Sequence, residues 1–298
     1  MRTEINPSDL CRALGGRWRG HYGTAACPVC QPDRRPDQGA LTIGTGEDGR
    51  LLVHCKRAGC AFADILTAAG VRDGAFSPPD PLEAARRQEA QRAQAQRRAD
   101  AAARVWAQAL PIAGTPAETY LRGRGIRCAL GPALRFHPGC WHGPTGQRLP
   151  AMVARIAGGE GFAVHRTYLR PDGGGKADVA PAKAMLGSAR GGAVRLVEGP
   201  RRLLVAEGIE TALSAAALLA EPVTTWAALS ASGMQGLTLP PLANGRPAPL
   251  IVAMDGDPAG RAAGFSLAER AHALGWDVAT LEAPDAQDFN DILKAGAA

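Results

Sequence analysis

The sequence predicts an α/β protein whose C-terminal part is a parallel-sheet domain, preceded by a basic α/β segment and a small N-terminal module organised by cysteines. Three junctions predict the sheet. In LLVAEGIETALSAA, Leu203 to Ala216, an apolar run suited to a buried parallel strand stops at Glu207-Gly208 and a helical pattern starts at once. The arrangement recurs where LIVAM runs into Asp255-Gly256-Asp257-Pro258 and a helical AGRAAGFSLAERAHAL follows, with Pro258 suited to its first turn. A third acidic group, Asp288 and Asp291 in DFNDIL, follows the strand-like DVATLEA. Ligands of open α/β sheets bind beyond the carboxyl ends of the strands, so these acids can converge on one site. Crowded carboxylates repel unless a cation lies between them, and hard oxygen ligands suit Mg²⁺ or Mn²⁺. Singly, each has an ordinary role: Glu207 and Glu210 as first-turn acids, Asp255-Gly256 as a turn, Asp288 as an N-cap. Their order and shared place at strand ends favour a metal site.

EGIETALS, AMDGDPAGRAAG and DFNDIL together resemble the three acidic motifs of the Toprim domain, shared by bacterial and phage primases, topoisomerases and some nucleases. The resemblance covers about Arg201 to Ala298. It implies the Toprim fold for residues 201–298, with Glu207, Asp255, Asp257 and Asp288 as its catalytic acids.

Length and composition fit this reading. The 298 residues suit two or three domains, and 46% hydrophobic content suffices for ordinary cores. No run of about 18 apolar residues occurs, and MRTEINPSDLCRALGG lacks the apolar stretch of a signal peptide. A soluble cytoplasmic protein with no membrane partner is expected. Seven cysteines, four in a metal-like pattern, fit a reducing compartment better than a disulfide framework. The net charge of +6 is uneven: residues 105–200 carry twelve Lys/Arg against five Asp/Glu, and 201–298 carry six against eleven. A basic stretch beside an acidic metal site suits a polyanionic substrate.

The first domain, 1–76, is built on Cys27-Pro28-Val29-Cys30 and Cys55-Lys56-Arg57-Ala58-Gly59-Cys60, separated by the hairpin pattern ALTIG and RLLVHC. Two short-spaced cysteine pairs around a hairpin are what a tetrahedral Zn²⁺ in a zinc ribbon needs. His54 adjoins Cys55 and is an alternative ligand. Strand neighbours point opposite ways, so only one of the two is expected to bind. His21 is a weaker candidate, and Cys11, Cys128 and Cys140 are expected in packing. CPVC followed by VHCKRAGCAFADIL is similar to the zinc-binding modules at the N-termini of bacterial and phage primases, where the module helps recognise the template. Trp18, Arg19, Tyr22, Arg34, Arg35, Lys56 and Arg57 offer cationic and stacking groups for single-stranded DNA.

After the SPPDP break, 77–104 is rich in helix formers and poor in large apolar residues, so an exposed helical connector is expected. In the basic segment, 105–200, TPAETYLRGRGI reads as a helix capped by Thr115 or Thr119 and ended by Gly123 or Gly125, and PAMVARIAGGEGFAVHRTYLR as a hairpin. GGGKA is no P-loop: Arg170 stands where its first glycine should be and Ala177 replaces the hydroxyl residue. The hairpin and the following AKAMLG segment are similar to the basic subdomain that precedes Toprim in bacterial primases. The likeness implies contacts with nucleotide phosphates or template for Arg166, Lys176 and Lys183. His165 and the His137/Cys140/His142 group are expected in packing or local hydrogen bonds.

From end to end the chain resembles a primase of the stand-alone kind found on phages, plasmids and integrated elements. The resemblance implies synthesis of short RNA primers on a single-stranded DNA template from nucleoside triphosphates. Asp255, Asp257 and Asp288 would hold Mg²⁺ or Mn²⁺, Glu207 would be general base or metal organiser, and Glu210 and Asp291 further ligands; Zn²⁺ would be structural. The chain stops soon after DFNDIL, so a replicative helicase would be a separate partner. The alternatives are a Toprim nuclease and a non-catalytic DNA-binding accessory of a mobile element. A topoisomerase would need a tyrosine nucleophile, and Tyr22, Tyr120 and Tyr168 lack a recognisable context for one.

Overall fold

The computed structural model describes residues 6–20, 22–35, 37–46, 50–71, 81–199, 202–219, 221–242 and 248–296. His21, the break at 77–80 and the expected boundary at 200–201 lie outside the described residues. Two compact units, Met1–Ala93 and Gln94–Ala298, divide within one long helix.

The first unit opens with α1 (Pro7–Ala13), whose N-cap Asn6 accepts from the Asp9 amide. Strands β1 (Arg17–Trp18), β2 (Tyr22–Ala25), β3 (Leu41–Thr45) and β4 (Leu51–Cys55) form an antiparallel sheet in that order, and α2 (Phe62–Ala68) follows. Strand alternation turns Ala25, Leu41, Ile43 and Cys55 inward onto Leu10, Leu14 and Ile65. So few large side chains make a small core, and Cys27 and Cys55 are part of it.

Helix α3 (Pro81–Gln108) is exposed from Gln88 to Arg98 and half-buried at Val105 and Trp106, matching its apolar residues. The second unit continues with β5 (Leu110–Pro111), α4 (Pro116–Gly123), β6 (Leu134–His142), β7 (Gln147–Ala157), β8 (Ala163–Tyr168), β9 (Lys183–Leu186) and β10 (Ala193–Val197). Then come β11 (Leu203–Ala206), α5 (Ile209–Leu219), β12 (Thr224–Ala227), α6 (Ala231–Gly236), β13 (Pro249–Met254), α7 (Pro258–Ala273), β14 (Asp277–Glu282) and α8 (Phe289–Gly296). Thr115 occupies the N-cap position of α4, but its hydroxyl donates to the Ile112 carbonyl, and Glu118 reaches back to the Gly114 amide instead.

One sheet of the order β14-β13-β11-β12-β10-β7-β6-β5 runs through this unit, with β8 and β9 branching from β7. The first four strands are parallel; β12 then pairs antiparallel with β10, Arg195 facing Trp226. Alternate residues of β11 feed two cores. Leu204 and Ala206 pack with α5 and α8, whereas Leu203 and Val205 pack with α6 and α7. This two-sided burial explains why the strand reads as a continuous apolar run. No helix among the described residues is long and apolar enough to cross a membrane.

Candidate functional site

In the first unit the sulfurs of Cys27, Cys30, Cys55 and Cys60 all lie within 4.8 Å of one another. Cys30 Sγ and Cys55 Sγ are 3.5 Å apart. Burial would raise the Cys55 pKa, but the backbone amides of Ala58, Cys60 and Arg57 outweigh it and bring the thiol down to about 6. A thiolate ready near neutral pH is what a zinc ligand requires. His54 takes no part: it lies exposed opposite Thr42, on the other face of β4 from Cys55. Cys11 and Cys140 are buried, as expected of packing residues.

The acidic residues gather at the carboxyl end of the parallel strands. Glu207 follows β11, Asp255 follows β13, and both are half-buried. Burial raises the Asp255 pKa to about 6, and Asp288, Glu207 and Asp257 push the same way, with the Thr211 hydroxyl offsetting part of it. Its Oδ1 is buried without a hydrogen-bond partner. Glu207 is raised by burial and by Asp257, against the pull of Lys183. A buried, unpartnered carboxylate oxygen among other acids fits a divalent cation. Asp257 is exposed and caps α7, its Oδ1 accepting from the Gly260 amide at 2.7 Å. Among the described residues the acids do not close to within 4.8 Å as a group; the four cysteines do.

Asp288 is brought to this end by backbone contacts. Gly256 donates to the Gln287 carbonyl at 2.8 Å and accepts from the Ala286 amide at 2.9 Å. A Cβ on Gly256 would lie 1.8 Å from the Pro284 carbonyl oxygen, so only glycine lets this turn close over the loop between the two aspartates. Gly256→Ala is therefore expected to push the 284–287 turn away and lower the thermal midpoint by several degrees, measurable by calorimetry. Asp288 and Asp291 cap α8 reciprocally, each side chain accepting from the other's amide, at 2.9 and 3.2 Å. The cap role of Asp288 and its place near Asp255 thus coexist. Asp291 itself is exposed. Asn290, which the sequence did not single out, is fully buried and anchors α8 by donating to the Arg124 carbonyl and Ser214 Oγ while accepting from Arg124.

Glu210 has partners of its own. Its Oε1 accepts from Tyr120 Oη at 2.7 Å and its Oε2 from Lys183 Nζ at 3.1 Å. Burial would raise its pKa, but Lys183 and Tyr120 overcome this and hold the carboxyl well below the usual range. Lys176 is lowered by partial desolvation and by Lys183, with Glu210 and Asp288 opposing, which places it among the same charges. His165 is driven down to about 4 by burial and then by Lys183, so it is neutral at pH 7. Arg166 does not join them. Its strand position puts it on the other face of β8, where it donates to the Trp141 and Met185 carbonyls. His137 and His142 make local hydrogen bonds to Gln108, Thr145 and the Pro181 carbonyl, as expected. Tyr168 donates to the Trp141 carbonyl.

A further feature was not legible in the sequence. Arg135, Arg155 and Arg195, from β6, β7 and β10, line one cavity of about 730 Å³ with Trp106 and Glu198. Arg135 stacks on Trp106 at 4.3 Å and Arg195 on Trp226 at 4.8 Å from the ring centres. The arginines lie 20 and 40 residues apart in sequence, and only the strand pairing aligns them.

Comparison with known proteins adds the following. Residues 202–298 match the family model of the Toprim domain, and residues 96–196 match that of a domain of unknown function, DUF7146. No curated protein matches the chain. Among solved structures it is similar to a DNA primase domain from Pseudomonas aeruginosa, with 18% identity over 59% of this chain and 54% of that one and a TM-score of 0.33. The chain thus spans about half the length of that structure. It is also similar to the zinc binding and RNA polymerase domains of the Aquifex aeolicus primase (16%, 99% and 81%, 0.41). The primase fragment of the bacteriophage T7 primase-helicase protein is a further likeness (14%, 92% and 94%, 0.32). The chain carries, in residues 202–298, a Toprim domain on a mixed α/β sheet, and ahead of it a four-cysteine cluster suited to zinc.

Proposed function

We propose that this protein is a DNA primase-like nucleotidyltransferase that joins nucleoside triphosphates into short RNA primers on single-stranded DNA. The observation that carries the reading is the carboxylate crowd around Asp255, with its unpartnered buried Oδ1, at the end of a Toprim sheet and beside Lys183 and Lys176. Asp255 and Asp288 would hold Mg²⁺ or Mn²⁺, with Glu207 beside them as general base and Asp257 and Asp291 at the margin. The bound ions would offset charge developing in phosphoryl transfer. Glu207, whose pKa is raised, is suited to take the proton of an attacking hydroxyl. Lys183 and Lys176 would hold the triphosphate. The four-cysteine module would carry structural zinc and present the template.

The test is incubation with single-stranded DNA, Mg²⁺ or Mn²⁺ and labelled nucleoside triphosphates. Short template-dependent products are expected. Metal-dependent degradation of the DNA would make the protein a nuclease, and neither result would make it a binding accessory. The arginine cavity is the place expected to take template phosphates. Arg155→Ala should weaken single-stranded DNA binding about threefold to tenfold and lower the slope of log affinity against log salt by about 0.7, read by fluorescence anisotropy.

A further inference from the structure

Glu210 sits in the first turn of α5, three residues beyond Glu207, and was expected to be a further ligand to the divalent ion. Its surroundings give it another task. Both carboxylate oxygens are taken, one by Tyr120 from α4 and one by Lys183 from β9, and the side chain is only 7% exposed. Binding a metal would strip partners from a buried phenol and from an ammonium, each of which then costs free energy to leave unpaired. Lys183 has no second ion-pair partner among the described residues. Across the sheet it faces Thr167, whose hydroxyl is buried and makes no hydrogen bond, and His165 on the same face of β8 leaves its Nδ1 unpartnered. Among the described residues Glu210 is thus the one acid within ion-pair distance of Lys183, which is 37% exposed, while Glu207 feels its charge from farther off.

We propose that Glu210 is a positioning residue: with Tyr120 behind it, it holds the Lys183 ammonium at the edge of the acidic site, and it does not ligate the divalent ion. The arrangement separates two kinds of carboxylate three residues apart, one in the bend after β11 and one in the first turn of α5. Glu207 faces the acids, and Glu210 faces a cation that must stay in place while those acids are neutralised. Its consequence for nucleotide binding rests on the function proposed above; its consequences for lysine geometry and metal affinity do not.

The experiment compares the full-length protein with Glu210→Gln, Asp255→Asn and the double variant Glu210→Gln/Lys183→Met. Gln removes the negative charge that pairs with the ammonium, and its single carbonyl oxygen cannot accept from Tyr120 and Lys183 as two carboxylate oxygens do, so the hold on Lys183 weakens. Amine-directed labelling read by mass spectrometry should then show Lys183 reactivity rising at least threefold in Glu210→Gln, with other lysines unchanged. Mn²⁺ titration followed by the free-ion EPR signal should show Asp255→Asn binding more than tenfold more weakly. The double variant, whose net charge equals that of the wild type, should bind within about twofold of it. Under nucleotide-joining conditions Glu210→Gln should raise KM for the triphosphate about tenfold with kcat within about threefold. A double variant that binds Mn²⁺ tenfold more weakly would make Glu210 a ligand and overturn the proposal, as would unchanged Lys183 labelling in Glu210→Gln. If the wild type joins no nucleotides, the proposed function falls, and labelling and Mn²⁺ affinity still decide the role of Glu210.

Discussion

Replacing Cys55 by serine, or stripping zinc with a strong chelator, is expected to unfold the first unit while the second keeps its fold. The core of the first unit is a handful of side chains, two of them ligand cysteines. A structural zinc supplies on the order of 10 kcal/mol or more in modules of this kind, far more than so small a core provides. Cys55 is a sensitive position because it is buried and its sulfur faces the backbone amides of Ala58, Cys60 and Arg57, which would be left facing a neutral hydroxyl. Hydrogen exchange by mass spectrometry checks this: amides of β2 to β4 should lose protection by several orders of magnitude, and those of β11 and β13 should be unchanged. Zinc content measured alongside should fall from about one ion per chain to none.

Asp255→Asn is expected to have the largest effect on chemistry, lowering nucleotide joining at least 100-fold, while making the metal-free protein more stable. The sign follows from the raised pKa. Its ordinary value is 3.8 and the folded protein moves it to about 6, so the folded state holds the proton more tightly than the unfolded chain. The carboxyl thus favours folding at low pH and opposes it increasingly as pH rises through about 6. A rise from 3.8 to about 6 corresponds to about 3 kcal/mol, which solvent screening of a half-buried group reduces to roughly 1 to 2. Metal-free Asp255→Asn should therefore melt about 2–6 °C above wild type at pH 7.5, and the gap should close towards pH 4. Added Mn²⁺ should raise the midpoint of the wild type and leave that of the variant nearly unchanged. Scanning calorimetry across pH, with and without the ion, reads all of this.

The strands, helices and cysteine set were legible because each leaves a local pattern. A run such as Leu203–Ala206 needs apolar neighbours on both faces, and the structure supplies them. Two cysteine pairs around a hairpin need only the pairing of β3 with β4 to meet. The acids were legible for the same reason, since each follows a strand. The direction of a side chain was not. Glu207 and Glu210 are both acids of one helical start, and what separates them is Tyr120, 90 residues earlier, and Lys183. Asn290 stands between two aspartates that drew attention, although it is the residue that anchors the helix. Arg166 looked equivalent to Lys183 because both flank strands, but a one-residue difference in strand parity puts them on opposite faces.

The pairing of β12 with β10 has a practical meaning for dissecting the chain. Residues 202–298 match a family model on their own, which invites expression of that piece alone. Cut there, β12 would become an open edge, with the backbone groups that bond to β10 exposed and Trp226 stripped of the Arg195 stacked on it. An uncovered apolar edge of this kind templates pairing with other chains, so the isolated fragment is expected to aggregate. A fragment beginning near Gln94 keeps the edge covered.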